Sequence, residues 1–304
     1  MLRPHGDGCE DTAAMLVLCQ LGHVASTRQL RSRVTAATLR AAVQSGAIIR
    51  LRRGTYACPH LDEATAHAAR IGGALTCVSV LAAAGVWAGS RADKELVHVQ
   101  VPPTHSGRPS VARLHWEIAR YGMASRWRVT PLQALWQAMW CLDEENAIAA
   151  MESAIHEGFL SEREVRRLGR LAPRRLQDGI RRLVVNSGSG NETIVRLRLQ
   201  RYGYDVVAQG NVPGMGHEDL VVEDCVGLEV DSQRWHDGND QYTIDRDRDR
   251  HVAGFGRPVL RLRPAYIHES WQQTLAVIER TVADARRERS RRIGRVLVGY
   301  ADPL

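Results

Sequence analysis

The sequence predicts a multi-domain α/β (α+β) chain. Three observations lead there: apolar residues at helical spacing near the start, a change to strand-like alternation around residue 48, and, after residue 190, strand-like runs bracketed by helical ones. With 304 residues and 44% apolar side chains the chain can bury a substantial core. At roughly 100–200 residues per domain it should divide into two or three.

From Thr12 to Leu21, Met15, Leu16, Leu18 and Cys19 recur at helical spacing, and Gly22 ends the pattern as a C-terminal glycine does. A short second helix follows, with Ser26 or Thr27 as N-cap and Leu30 facing inward. A third starts at Thr35 and runs through Leu39, Ala42 and Val43 to Ser45-Gly46. Then Ile48 to Leu51, a turn at Arg52-Arg53-Gly54, and Thr55-Tyr56-Ala57 form a hairpin pattern. Three helices and a hairpin make a winged helix-turn-helix over residues 1–60. Arg40 falls on the third helix, and Arg50, Arg52 and Arg53 fall on or beside the wing. There they can reach phosphates flanking a DNA groove. The same arginines also suit the solvated surface of a small helical domain.

Residues 61–185 are expected to form a mixed α/β connecting domain. Leu75 to Leu81 opens a helix, Leu96 to Val101 alternates like a strand, and Pro102-Pro103 ends it. Two helices are well signalled, Pro131 to Cys141 behind a capping Thr130, and Glu145 to Glu157. Trp136 and Trp140, four apart on one helical face, are expected in the core. An arginine-rich helical stretch, Arg163 to Arg182, leads to Asn186-Ser187-Gly188-Ser189-Gly190, whose composition is that of a linker.

Residues 186–304 read as a third, α/β domain. Glu192 heads a helix that ends at Tyr202-Gly203. Strand-like pieces follow at Asp205 to Ala208, Asp219 to Val222 and Val226 to Asp231, then a helix carrying Asp245 to Arg250, a strand at Val259 to Leu262, and a closing helix from about Glu269 to Ala285. Strand residues two apart share a face, so Glu229 and Asp231 project together, and Asp219 on a paired strand can converge on them. Carboxylates so placed repel unless a cation lies between them, and Mg²⁺ suits such oxygen ligands. An alternating Glu-x-Asp also marks the solvated face of many strands.

A formal charge of +7 and a pI near 9.4 favour a polyanionic partner. Lys94 is the one lysine, so the excess is arginine, which base composition of the genome explains as readily as phosphate recognition. Cys9, Cys19, Cys58, Cys77, Cys141 and Cys225 are scattered with no CxxC pair and no zinc-finger spacing. Neither a structural zinc site nor a disulfide framework is expected. No apolar run approaches a membrane span and the first residues lack a signal-peptide core, which predicts a cytoplasmic protein.

The stretch from Glu192 to about Trp271 resembles the very-short-patch-repair-type endonuclease domain, a branch of the PD-(D/E)XK nuclease superfamily. The matching pieces are Glu192, Asp219-Leu220-Val221-Val222, Leu228-Glu229-Val230-Asp231 followed by Trp235-His236, the run Asp245 to Asp249, and Gly256 leading into Val259-Leu260-Arg261. The resemblance implies a restriction-endonuclease-like fold binding Mg²⁺ (or Mn²⁺). It makes Asp219 the central metal ligand, with Glu192, Glu229 and Asp231 in or beside the site, and His236 a catalytic or phosphate-contacting residue. The Asp-Arg run also suits a salt-bridged helix face; Asp245 and Arg246 are read as bracing or contacting the site, and the rest as solvated. The chain departs from the pattern in three places: His217-Glu218 precedes Asp219 where the family has Pro, Asp231 takes the place of its lysine, and Ser232 stands where many relatives carry Gly. The segment Gly46 to Ala57 is similar to the N-terminal domain of AbiEi-type antitoxins, and the region around Val129-Thr130-Pro131-Leu132 to the connecting part of proteins joining both modules.

These readings converge on a metal-dependent DNA endonuclease with DNA as partner. Asp219, Glu229 and Asp231 hold the metal, Glu192 and His236 assist, and Arg40, Arg50, Arg52, Arg53 and Arg246 contact DNA. A homodimer or a toxin-like partner protein, and a role in phage defence, follow from the family analogy alone. The alternatives are an antitoxin-like DNA-binding regulator whose nuclease fold has lost turnover, and a protein-interaction scaffold.

Overall fold

The structure, a computed structural model, describes residues 12–107, 111–212, 216–231 and 257–299. These residues hold thirteen α-helices and three β-sheets, the mixed class expected, and fall into two compact units, Met1–Leu142 and Asp143–Leu304.

In the first unit, helices α1 (Ala13–Gln20), α2 (Thr27–Arg31) and α3 (Ala36–Gln44) begin at Thr12, Ser26 and Thr35. The side chain of each accepts a backbone N–H of the first turn, and Ser26 completes a reciprocal capping box with Gln29. Gly46, at φ +76°, turns the chain out of α3. Strands β1 (Val24–Ser26), β2 (Ile49–Arg52) and β3 (Thr55–Ala57) form an antiparallel sheet in the order β1-β3-β2. Leu18, Leu30, Leu39 and Ile48 are buried between helices and sheet.

The same unit continues with α4 (Glu63–Ile71), β4 (Ala74–Leu75), α5 (Cys77–Ala83), α6 (Arg91–Lys94), β5 (Val97–Gln100), β6 (Ala112–His115), β7 (Met123–Ser125), β8 (Arg128–Val129) and α7 (Pro131–Cys141). The five strands order as β6-β5-β4-β8-β7, with β5–β6 and β4–β8 parallel. The Trp127 indole donates to the Val24 carbonyl at 3.1 Å and ties this layer to the first sheet. Trp136 is in the core at 7% exposure, but Trp140, expected beside it, is 57% exposed and stacks edge-on against it at 5.7 Å. Helical spacing fixed their shared face; at the last turn of α7 that face is no longer covered.

The second unit opens with α8 (Glu144–His156), α9 (Glu162–Gly169), a 3-10 turn at Arg174–Leu176, α10 (Gln177–Arg181) and α11 (Gly190–Arg201). Helices α8 and α11 pack together through Glu152 and Arg196, a fully buried ion pair at 2.5 Å. The Ser/Gly segment read as a linker is folded into this unit. Ser189 caps α11, and the Ser187 hydroxyl meets Thr193 Oγ1 at 2.9 Å. Strands β9 (Val206–Val212), β10 (Gly216–Val222), β11 (Val226–Val230) and β12 (Val259–Leu262) order as β12-β11-β10-β9. The first three are antiparallel, and β12 lies parallel to β11. Helices α12 (Pro264–His268) and α13 (Trp271–Gly299) follow. Among the described residues no helix is long and apolar enough to cross a membrane.

Candidate active site

The acidic residues singled out in the sequence come from α11, β10, β11 and, for Asp231, the residue that follows β11. Glu192 lies in the first turn of α11, where the Ser189 cap fixes the backbone, and is only 4% exposed. Its Oε2 accepts the Gly188 N–H at 2.9 Å and the Gln209 side-chain amide at 3.2 Å. A carboxylate at a helix N-terminus is ordinarily held ionised by those donors and the helix dipole. Here burial, and then the negative charge of Asp219, push its pKa up against them.

Asp219 lies within β10, and its Oδ2 accepts the Val230 N–H of β11 at 2.8 Å. Burial raises its pKa; the Val230 hydrogen bond opposes this, and the charges of Glu229 and Asp231 add to the rise. Each of the two central acids is thus strained by its neighbours. Among the described residues neither Glu192 nor Asp219 forms an ion pair with a basic side chain.

Glu229 and Asp231 do project together, as their spacing implied. Both face Arg261, which the parallel register places opposite Glu229 on β12. The Arg261 Nη2 lies 2.8 Å from Glu229 Oε2, and its Nε lies 3.9 Å from Asp231 Oδ1. Glu218, the residue before Asp219, is buried and paired with Arg257 at 2.5 Å. Its carboxylate lies under Gly227, where an added Cβ would meet it at 2.7 Å. No spacing in the sequence announces that Arg257 pairs with Glu218 or Arg261 with Glu229, because the partners lie 39 and 32 residues apart in the chain.

The donor chemistry fits a hard divalent cation: four carboxylates, two of them without a cationic partner. Asp219, Glu229 and Asp231, with Glu192, are the residues that would hold Mg²⁺ or Mn²⁺. Their oxygens are not gathered as one cage. Among the described residues, the groups whose ligand atoms all lie within 4.8 Å of one another are made of Cys and His instead. His236 and Arg246 lie outside the described residues.

In the first unit, Arg40 on α3, Arg50 and Arg52 on β2 and Arg53 in the following turn are all exposed. Among the described residues none of them joins an ion pair with an acid. The Arg52 guanidinium lies close to Gly72, where an added Cβ would stand 3.1 Å from it, at the C-terminal end of α4. A cation there is favoured by the helix dipole, which gives Arg52 a structural contact as well as exposure.

No protein-family model matches the chain, and no curated protein is detectably similar to it in sequence.

Proposed function

We propose that the chain is a metal-dependent DNA endonuclease that hydrolyses phosphodiester bonds. The observation that carries this reading is the Glu192–Asp219 pair: two carboxylates, partly or largely buried, in which the charge of Asp219 adds to burial in raising the pKa of Glu192, while Glu229 and Asp231 add to burial in raising that of Asp219. A buried acid is neutralised by a shifted pKa, paired with a base, or coordinated to a metal, and Glu192 and Asp219 have no basic partner among the described residues. When bound, Mg²⁺ or Mn²⁺ supplies a water of lowered pKa and balances the charge on the scissile phosphate. The chain itself fixes the carboxylates: Gly188 and Gln209 hold Glu192, and the Val230 N–H holds Asp219. His236 is assigned to the phosphate and Arg246 to the DNA by the sequence resemblance alone.

The helix and strand order of residues 13–57, with the β1-β3-β2 sheet behind α3, supports a winged helix as the DNA-targeting part. Arg40, Arg50 and Arg53 are its phosphate contacts, with Arg52 shared between DNA and α4. A regulator without turnover is the second reading, favoured by Arg261, which already pairs with Glu229 at 2.8 Å and approaches Asp231 at 3.9 Å.

The deciding experiment is cleavage of supercoiled plasmid and of mismatched duplexes with Mg²⁺, Mn²⁺ or EDTA, wild type beside Asp219→Ala. Metal-dependent nicking or linearisation that the substitution abolishes establishes the nuclease. DNA binding by both proteins with no cleavage of any substrate establishes the regulator.

A further inference from the structure

Four residues of the first unit with no linear spacing in common meet in space. Cys77 is the first residue of α5, His98 lies on β5, His115 ends β6 and Cys141 ends α7. One ligand atom from each lies within 4.8 Å of all the others. His98 Nδ1 is 3.1 Å from His115 Nε2, and Cys141 Sγ is 3.8 Å from His98 Nδ1. Around a tetrahedral zinc ion, with Zn–S about 2.3 Å and Zn–N about 2.0–2.1 Å, neighbouring ligand atoms lie roughly 3.3–3.8 Å apart. The His98–His115 and His98–Cys141 separations need shifts of only a few tenths of an ångström, and the others lie within 4.8 Å. We propose that Cys77, His98, His115 and Cys141 form a structural binding site for a zinc-type divalent ion.

The surroundings are built to hold these four positions. Thr76, beside Cys77, donates to Gln137, which sits one turn before Cys141 on α7; Gln137 donates to Gln100, two residues after His98 on the same strand face. Gln100 in turn donates to the backbone carbonyls of His115 and Glu117. One buried chain of hydrogen bonds thus touches every ligand-bearing element, the kind of outer support that orients metal ligands. The Ser79 hydroxyl also accepts the backbone N–H of His98 at 2.9 Å. Two thiolates and two neutral imidazoles balance a divalent charge exactly once the thiols have lost their protons, so the filled site is neutral where Cys77 and His98 are buried. Four protein ligands leave no open position, which assigns the ion to structure rather than catalysis. Without an ion the four groups hydrogen-bond among themselves, and that is the competing account.

The test uses the full chain expressed with zinc in the medium. Elemental analysis of purified wild type should find one zinc per chain. Replacement by Co²⁺ should give the visible bands of a tetrahedral ion with sulfur-to-cobalt charge transfer. Cys141→Ser should lose both signals, while Cys19→Ser, in the separate group Cys19, His23 and Cys58, should keep them. Because Cys141→Ser can also unfold the unit, wild type carries a second readout: chelation should make Cys141 alkylate markedly faster. Folded wild type that holds no zinc and takes up no Co²⁺ overturns the proposal. So does a metal signal that survives Cys141→Ser and disappears in Cys19→Ser, or Cys141 alkylation at equal rates with and without chelator.

Discussion

Replacing Glu152 by Ala should loosen the second unit more than any other single truncation of a side chain in α8. The carboxylate is 0% exposed, and its Oε1 accepts from Arg196 at 2.5 Å and from the Val184 N–H at 2.8 Å, while Oε2 accepts the Thr193 hydroxyl at 2.6 Å. Removing it strands the Arg196 guanidinium, itself 1% exposed, with only the Arg182 carbonyl at 3.0 Å and an Nε that already lacks a partner. Breaking a buried pair from one side costs about 3–5 kcal/mol, because the surviving charge stays desolvated. At about 1.4 kcal/mol per factor of ten, the opening equilibrium of α8 and α11 should rise about a hundredfold or more. Hydrogen exchange followed by mass spectrometry on peptides spanning 144–156 and 190–201 reads this directly, under conditions where reclosing outruns exchange. Glu152→Met with Arg196→Met should recover part of the loss, since an apolar pair avoids the desolvation. The Val184 N–H would still lack an acceptor, worth about 1–3 kcal/mol, whereas the Thr193 hydroxyl keeps Ser187 and the Ser189 carbonyl. An increase below about fivefold in Glu152→Ala would place the pair with exposed ion pairs, worth up to ~1 kcal/mol, and refute this reasoning.

Gly227→Ala should destabilise the sheet by about 1–3 kcal/mol, the usual cost of overpacking, because its Cβ would stand 2.7 Å from the buried Glu218 carboxylate; a melting temperature equal to wild type would contradict the contact. Asp219→Asn keeps an acceptor for the Val230 N–H and removes a charge. The folded pKa of Asp219 is raised above its ordinary value of 3.8, so the aspartate contributes stability below the unfolded pKa and loses it as pH rises through the folded one. In metal-free buffer the variant should therefore gain on wild type at neutral pH and lose that advantage in acid. Melting curves across that range check it, and an advantage that grows in acid would reverse the sign.

Local chemistry made much of this chain legible. Thr12, Ser26, Thr35 and Thr130 cap helices with hydrogen bonds to residues three away, so sequence alone exposed those boundaries. What escaped depends on distance along the chain. Strand β1 is three residues long and exists through pairing with β3, Val24 opposite Ala57, which no local pattern announces. Ser187 to Gly190 has a linker's composition, yet its polar groups are spent on Thr193 and Glu192. The acids were singled out by spacing and resemblance, whereas the pairing of Arg261 with Glu229 depends on the β11–β12 register. The Cys/His group follows no spacing rule because its four ligands come from four elements.

Gln209 has a left-handed φ of +52°, rare for a residue with a side chain, and it sits in β9 at the edge of the described four-stranded sheet. The same kink that lends its amide to Glu192 interrupts the regular row of outward N–H and C=O groups on that edge. An edge so broken is a poor template for strand addition by another chain. Restoring an extended conformation there would free Glu192 of one donor and at the same time offer the sheet for intermolecular pairing, so loss of site geometry and a tendency to aggregate should appear together.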